Sequence, residues 1–461
     1  MNGKIIPLEK SSQNSQGQSN QMSNNSNVIN NMRFETKTVH AACTPDESTG
    51  ACDTPIHQAA AFKFKNTQQA ANIFSLKEKG FLYSRVTNPT VGALEEKLTI
   101  LEGGVGATCT ASGLAANMLI FSALMSPGSN FVSSCKIYGG TTSQFRDTFK
   151  RGFGWDCRFV DPTNVDNFKA AIDENTKVLF AESISNPEGV VLDIEKVARI
   201  AEDAGIPLIV DNTIATPYLC RPFEFGADLV THSTTKYLSG HGQAMGGAVV
   251  DGGKFDWMKY ADKYPALGKE DPSYHETTFA QTFADCPMAM HNHAVGLRDL
   301  GMNQQPMNAY LTMMGMQTLS LRMDRHCQNA IKAAEYLENH PAVAWVNHAG
   351  LPSNKYNELA KKYILNGWGS SLFTFGLKGG YDAAVKVVEG VNVFTHLANI
   401  GDTRSLMIHP ASTTHSELHE DQKIKAGALP EAIRVSIGIE HIDDILADLE
   451  QALAKTEVLA A

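Results

Sequence analysis

The sequence predicts an α/β fold: a mainly parallel central sheet covered by helices on both faces, with a smaller C-terminal α/β domain after it. Short runs rich in β-formers lie at 131–133, 158–160, 178–181, 207–210, 228–231 and 248–250, with stretches of helical period between them, as at 164–173 and 194–204. Strands alternating with helices mark parallel sheets, because a parallel pair needs a crossover connection. Residues of chemical interest also follow directly on several apolar runs. They sit at carboxyl strand ends, where open sheets of this kind bind their ligands.

Taken in order, 91–101 sets Leu94, Leu98 and Leu101 at helical spacing with Glu95, Glu96 and Lys97 on the other side, and Gly103-Gly104 ends the pattern. Residues 112–125 repeat the helical period. From about Met307 a second domain begins. It has a long Leu/Met-rich helical pattern over 308–325, a continuation at 328–340, and strands at 371–376 and 433–438. A closing helix over 442–454 carries Ile445, Leu446 and Leu449 on one face, a core stripe rather than a ligand site. The implied division is a tail over 1–32, an arm over 33–90, a large domain over 91–306 and a C-terminal domain over 307–461.

The chain has 461 residues, with 39 Lys+Arg against 49 Asp+Glu, a formal charge of −10. Such a length suggests roughly two to four domains at ~100–200 residues each. The acidic balance argues against nucleic acid or an anionic membrane as partner, since both demand a positive field. No run approaches the ~20 apolar residues of a membrane span, and the first residues do not read as a signal peptide. The eight cysteines contain no C-x-x-C pair, which points to scattered reduced thiols in a cytoplasmic protein. Between residues 11 and 31, 17 of 21 are Ser, Gln or Asn. Too few apolar groups are present there to offset the entropy of ordering, so 1–32 reads as a disordered tail.

The strand ends carry the chemistry. The run 207–210 leads into Asp211-Asn212-Thr213, 228–230 leads into Thr231-His232-Ser233-Thr234-Thr235-Lys236, and 178–181 leads into Glu182-Ser183-Ile184-Ser185-Asn186-Pro187. Singly, each residue has an ordinary explanation: a solvated lysine, a helix-capping aspartate. Together they are the parts of a pyridoxal phosphate site. Lys236 can form a Schiff base with an aldehyde cofactor. Asp211 can keep a pyridine nitrogen protonated, which makes the ring an electron sink. Ser233 and Thr235 can bind a phosphate, and Ser112-Gly113-Leu114 opens a helix whose free N–H groups suit an anion. Tyr138 can stack on a flat ring.

At these motifs the sequence resembles the pyridoxal-phosphate enzymes of cysteine and methionine metabolism, a family that includes cystathionine synthases and lyases, methionine lyase and O-acetylhomoserine sulfhydrylase. The resemblance covers about 33–461. It rests on Tyr83-Ser84-Arg85-Val86-Thr87-Asn88-Pro89-Thr90, Ala111-Ser112-Gly113, Tyr138-Gly139-Gly140-Thr141, Val210-Asp211-Asn212-Thr213, Ser233-Thr234-Thr235-Lys236-Tyr237, His409-Pro410-Ala411-Ser412 and Arg434-Val435-Ser436-Ile437-Gly438. It implies a fold type I pyridoxal-phosphate transferase in which Lys236 bears the cofactor and shuttles protons, Asp211 partners the pyridine nitrogen and Tyr138 stacks on the ring. Ser112, Gly113, Leu114, Ser233 and Thr235 would contact the phosphate. Asn186 would lie near the phenolic oxygen and the substrate, Arg434 would receive the substrate carboxylate, and Ser405 sits in the segment that usually lines the same substrate pocket. Tyr83 and Arg85 would reach the phosphate of an adjacent subunit, which implies dimers with shared sites, usually assembled as homotetramers.

Within that family, three features favour sulfhydrylase chemistry. Gly139-Gly140 follows Tyr138 where methionine lyases carry a cysteine at the second position. A long insertion over 252–298 contains Asp271-Pro272-Ser273-Tyr274-His275, and the segment from His409 to His415 has the same character. The implied reaction takes an amino-acid ester and sulfide or a small thiol: acetate leaves O-acetyl-L-homoserine, and homocysteine or methionine forms. Tyr138 is a further acid–base candidate. Methionine γ-lyase and cystathionine γ-synthase or γ-lyase are the alternatives within the family, and a noncatalytic binding protein is the alternative outside it. A nicotinamide reading of Gly104-x-Gly106 fails, because position 109 is Cys109 and the motif follows a helical run. No P-loop or H-E-x-x-H sequence occurs, so no metal site is expected at His409, His415 and His419.

Overall fold

The computed structural model describes residues 29, 31–416 and 419–456. The expected tail over 1–32 lies almost wholly outside them. The main sheet is built from β1 (Gly106–Thr110), β2 (Asn130–Ser134), β3 (Asp156–Val160), β4 (Thr176–Glu182), β5 (Leu208–Asp211), β6 (Leu229–His232) and β7 (Gly247–Asp251). Its seven strands run in the order β1-β7-β6-β5-β4-β2-β3. All neighbours pair in parallel except β7, which is antiparallel to both β1 and β6.

Period-two alternation explains why both faces are covered. On β4 and β5, Leu179, Ala181, Leu208 and Val210 enter one core, with Leu94, Leu98 and Val197. Val178, Phe180 and Ile209 enter the opposite core, with Leu119, Phe121 and Phe131. The helix Pro89–Glu102 covers the first face. Asn88 caps it by accepting from Thr90 and Val91, Pro89 opens it, and Gly103 closes it at φ 77°. The helix Gly113–Leu124 covers the second, capped by Ser112, whose side chain accepts from the N–H of Ala115.

The segment over 252–298 folds into short helices and a hairpin of β8 (Glu270–Asp271) and β9 (Thr277–Thr278). A smaller sheet follows: β10 (Val343–Asn347), β11 (Leu372–Leu377), β12 (Thr395–His396), β13 (Leu406–Ile408) and β14 (Ala432–Ser436), in the order β10-β11-β14-β13-β12. The helices Leu319–Glu338 and Ile442–Leu453 supply its apolar cover. The continuous helix expected over 308–325 is instead two helices, Pro306–Gln317 and Leu319–Glu338, joined at Thr318 with φ −107° and ψ 15°. Gly315 lies so close to the Ser239 carbonyl that a Cβ there would fall 2.0 Å from its oxygen. Strand β1 was not anticipated, because Ala107 and Cys109 alternate with threonines over too short and too weakly apolar a run to stand out.

Candidate active site

The carboxyl ends of β4, β5 and β6 converge on a cavity of about 360 Å³. Ser112, Gly113, Leu114, Tyr138, Asn186, Asp211, Ser233, Thr235, Lys236 and Arg434 all line it, so most of the residues singled out from the sequence meet in one place.

Lys236 follows the end of β6. Its Nζ donates to Asn399 Oδ1 at 2.5 Å. Burial, aided by the Arg434 cation, pulls its pKa down to about 8. Asp211 ends β5 and accepts the N–H of Thr213 at 2.9 Å. Burial raises its pKa above the ordinary carboxylate range. The Thr213 hydroxyl accepts the Ser233 N–H at 2.8 Å, which ties the β5 and β6 ends together. Arg434 lies in the middle of β14, buried on a strand with buried neighbours on both sides. Its guanidinium donates to Asn186 Oδ1 and to the Asn399 carbonyl, each at 3.2 Å. Burial lowers its pKa to about 10, so it remains a cation at neutral pH.

The phosphate side is a close approach of backbones. A Cβ on Gly113 would lie 3.0 Å from Ser233 Cβ, and one on Gly247 only 2.2 Å from the Ser112 carbonyl oxygen. The opening N–H groups of the helix at Gly113 and Leu114, which have no intrahelical acceptors, thus lie beside the Ser233 loop at the cavity wall. The Thr235 hydroxyl is also engaged locally: it accepts the Gly246 N–H at 3.0 Å and donates to the Gly246 carbonyl at 3.1 Å. A half-buried carboxylate, a half-buried amine, a helix N-terminus with neighbouring hydroxyls and a buried guanidinium form a set of groups that fits pyridoxal phosphate and an amino acid.

Three residues singled out from the sequence do not line this cavity. Ser405 is buried elsewhere: its hydroxyl donates to Glu440 Oε2 at 2.9 Å and accepts the Gly438 N–H at 2.9 Å. Tyr83 and Arg85 lie on an exposed loop of the arm, with the Arg85 guanidinium 5.4 Å from the Tyr83 ring and bonded to the Arg298 carbonyl. Nor does any residue of 252–298 line it.

Several lining residues carried no assigned role from the sequence. Glu182 ends β4 in register with Asp211. Its two oxygens accept the N–H groups of Tyr138 at 2.7 Å and Asn186 at 2.9 Å. Burial first, then the Asp211 carboxylate, push its pKa well up. Glu182 was visible as an acidic strand end in the sequence. Asn399 and Met245, which also line the cavity, lie outside the named strands and helices, where no periodic signal marks them.

An open, largely parallel sheet whose strand ends bring a half-buried lysine, a carboxylate and a helix N-terminus to one cavity is the framework of a pyridoxal-phosphate-dependent enzyme. The chain belongs to the Cys/Met metabolism PLP-dependent enzyme family, whose model matches residues 35–454. It is 43% identical over 426 residues to a homocysteine synthase of Schizosaccharomyces pombe, covering 92% of this chain and 99% of the relative. It is 44% identical over 425 residues to O-acetyl-L-homoserine sulfhydrylase 1 of Thermus thermophilus, covering 92% and 100%. Among solved structures, an O-acetylhomoserine (thiol)-lyase of Campylobacter jejuni carrying a pyridoxyl-lysine phosphate superposes with a TM-score of 0.89 at 42% identity, covering 92% of this chain and all of that one.

Proposed function

We propose that the enzyme replaces the acetate of O-acetyl-L-homoserine by sulfide, releasing acetate and L-homocysteine, with methanethiol as an alternative nucleophile giving L-methionine. The observation that carries this is the convergence of Lys236, Asp211 and Arg434 in one cavity, in a chain whose relatives bear the names of that activity.

Bound pyridoxal phosphate supplies an electron sink for negative charge at the substrate Cα. The protein's groups do the rest. Arg434 pairs with the substrate carboxylate through its planar fork, oriented by Asn186 and the Asn399 carbonyl. Lys236, whose pKa near 8 leaves an appreciable neutral fraction at cellular pH, takes the Cα proton and returns it later. Asp211 holds the proton on the ring nitrogen, and Tyr138 covers the ring face. Ser112, Gly113, Leu114, Ser233 and Thr235 would hold the phosphate, and Tyr138 would serve as a further acid–base group.

The same reading assigns Tyr83 and Arg85 to an adjacent subunit's phosphate, in a homotetramer built from dimers. Their position on an exposed loop outside this chain's own cavity supports it. The division into an arm over 33–90, a large domain over 91–306 and a C-terminal domain over 307–461 is supported by the two separate sheets. A cytoplasmic setting is supported by eight free cysteines. The test is a substrate panel: O-acetylhomoserine with sulfide should be turned over far faster than methionine or cystathionine. A large excess of α-ketobutyrate from methionine would overturn the assignment.

A further inference from the structure

We infer that Glu182 is a positioning residue whose single carboxylate fixes both the backbone that bears Tyr138 and the backbone that bears Asn186, so that the ring-covering tyrosine and the substrate-carboxylate clamp are held in register. The inference rests on the roles proposed above for Tyr138 and Arg434.

The connections run in one line. Glu182 Oε1 accepts the Tyr138 N–H at 2.7 Å, and Oε2 accepts the Asn186 N–H at 2.9 Å. Asn186 Oδ1 then accepts from Arg434 at 3.2 Å. Tyr138, Asn186 and Arg434 belong to three separate parts of the chain, and Glu182 lines the cavity they share.

The obvious alternative is that Glu182 merely closes the loop after β4. That loop already closes itself. Ser185 donates to the Val190 carbonyl at 2.9 Å, Gly189 to the Ser185 carbonyl at 2.8 Å, and Leu192 to the Ser183 carbonyl at 3.1 Å. The Ser185 hydroxyl accepts the Val190 N–H at 3.0 Å. A buried carboxylate is costly, and one in register with a second buried carboxylate is more so. Loop closure would not call for that cost, whereas two converging N–H donors do call for two acceptor oxygens. A carboxamide has only one, and its NH2 would face an N–H.

The test compares wild type, Glu182→Gln and Glu182→Asp, each loaded with pyridoxal phosphate. Lys236 and Asp211 are intact in all three, so each should take up the cofactor and turn yellow. In Glu182→Gln the visible circular dichroism of the bound cofactor should weaken, because the ring loses its fixed cover. The KM for O-acetylhomoserine should rise about ten-fold or more, as expected for loss of a buried hydrogen bond that positions the clamp. Glu182→Asp, with the acceptor pair withdrawn by one methylene, should move both readouts in the same direction by less, and it provides an independent test should the Gln variant not fold. Wild-type dichroism and KM in a folded variant would overturn the inference alone. A wild-type protein that takes up no pyridoxal phosphate would overturn the functional reading, and the inference with it.

Discussion

The side chain of Asn399 accepts a hydrogen bond from Lys236 Nζ at 2.5 Å. The carbonyl of the same residue accepts from Arg434 at 3.2 Å. A single residue between β12 and β13 thus touches both the proposed proton carrier and the proposed carboxylate clamp, by chemically separable groups. Asn399→Ala removes the first contact and leaves the backbone carbonyl in place. It should lower kcat about ten-fold, the order of one hydrogen bond to a charged group, while KM for the amino acid changes little. Steady-state kinetics separate the two; a large KM effect with unchanged kcat would contradict this division.

Arg434→Lys keeps the charge and loses the planar fork. It should raise KM for O-acetylhomoserine about a hundred-fold while the cofactor still binds, since a lysine cannot reproduce the two-pronged contact with a carboxylate. Titration of the visible cofactor band and steady-state kinetics on the same sample check both halves.

Lys236 attacks the cofactor aldehyde only as the neutral amine. With its pKa lowered to about 8 by burial and by Arg434, the neutral fraction rises with pH and saturates above about 8. The rate at which apoprotein captures pyridoxal phosphate should follow that curve. A rate still climbing toward the ordinary lysine value of about 10.4 would contradict it.

Asp211 and Glu182 destabilise the apoprotein as pH rises. Burial raises both pKa values, and Asp211 adds to the rise at Glu182. The folded apoprotein therefore holds protons that the unfolded chain releases above about pH 4. Stability from this pair is present at low pH and is lost as pH rises through the folded values. Asp211→Asn should raise the apoprotein Tm by about 2–4 °C at pH 8, with a smaller gain at pH 5. It should also cut turnover about a hundred-fold or more, because the amide cannot hold the ring-nitrogen proton by charge. Differential scanning calorimetry at the two pH values reads the sign directly.

The parts of the site that the sequence made legible are those at strand ends. Asp211, Ser233 and Lys236 could be placed because apolar runs immediately precede them, and in an open parallel sheet such positions share one edge. Gly113 and Leu114 were legible as a helix opening behind Ser112. Asn399 was not, because it lies between short strands in a segment without period, and only the folding of the smaller sheet brings it to Lys236. Glu182 stood in plain sight as an acidic strand end. Its function depends on two backbone N–H groups, and no side-chain pattern reports where those point. Ser405 shows the converse: the resemblance puts it in a pocket-lining segment, yet in the structure its hydroxyl is taken by Glu440.

The most direct test of the central claim is product stoichiometry. Purified protein loaded with pyridoxal phosphate is given O-acetyl-L-homoserine and sulfide, and homocysteine and acetate are measured together, beside Lys236→Ala. The account predicts one homocysteine for each acetate released, with turnover in the variant reduced at least about a thousand-fold. Acetate released without homocysteine, or a Lys236→Ala protein as active as wild type, would contradict it.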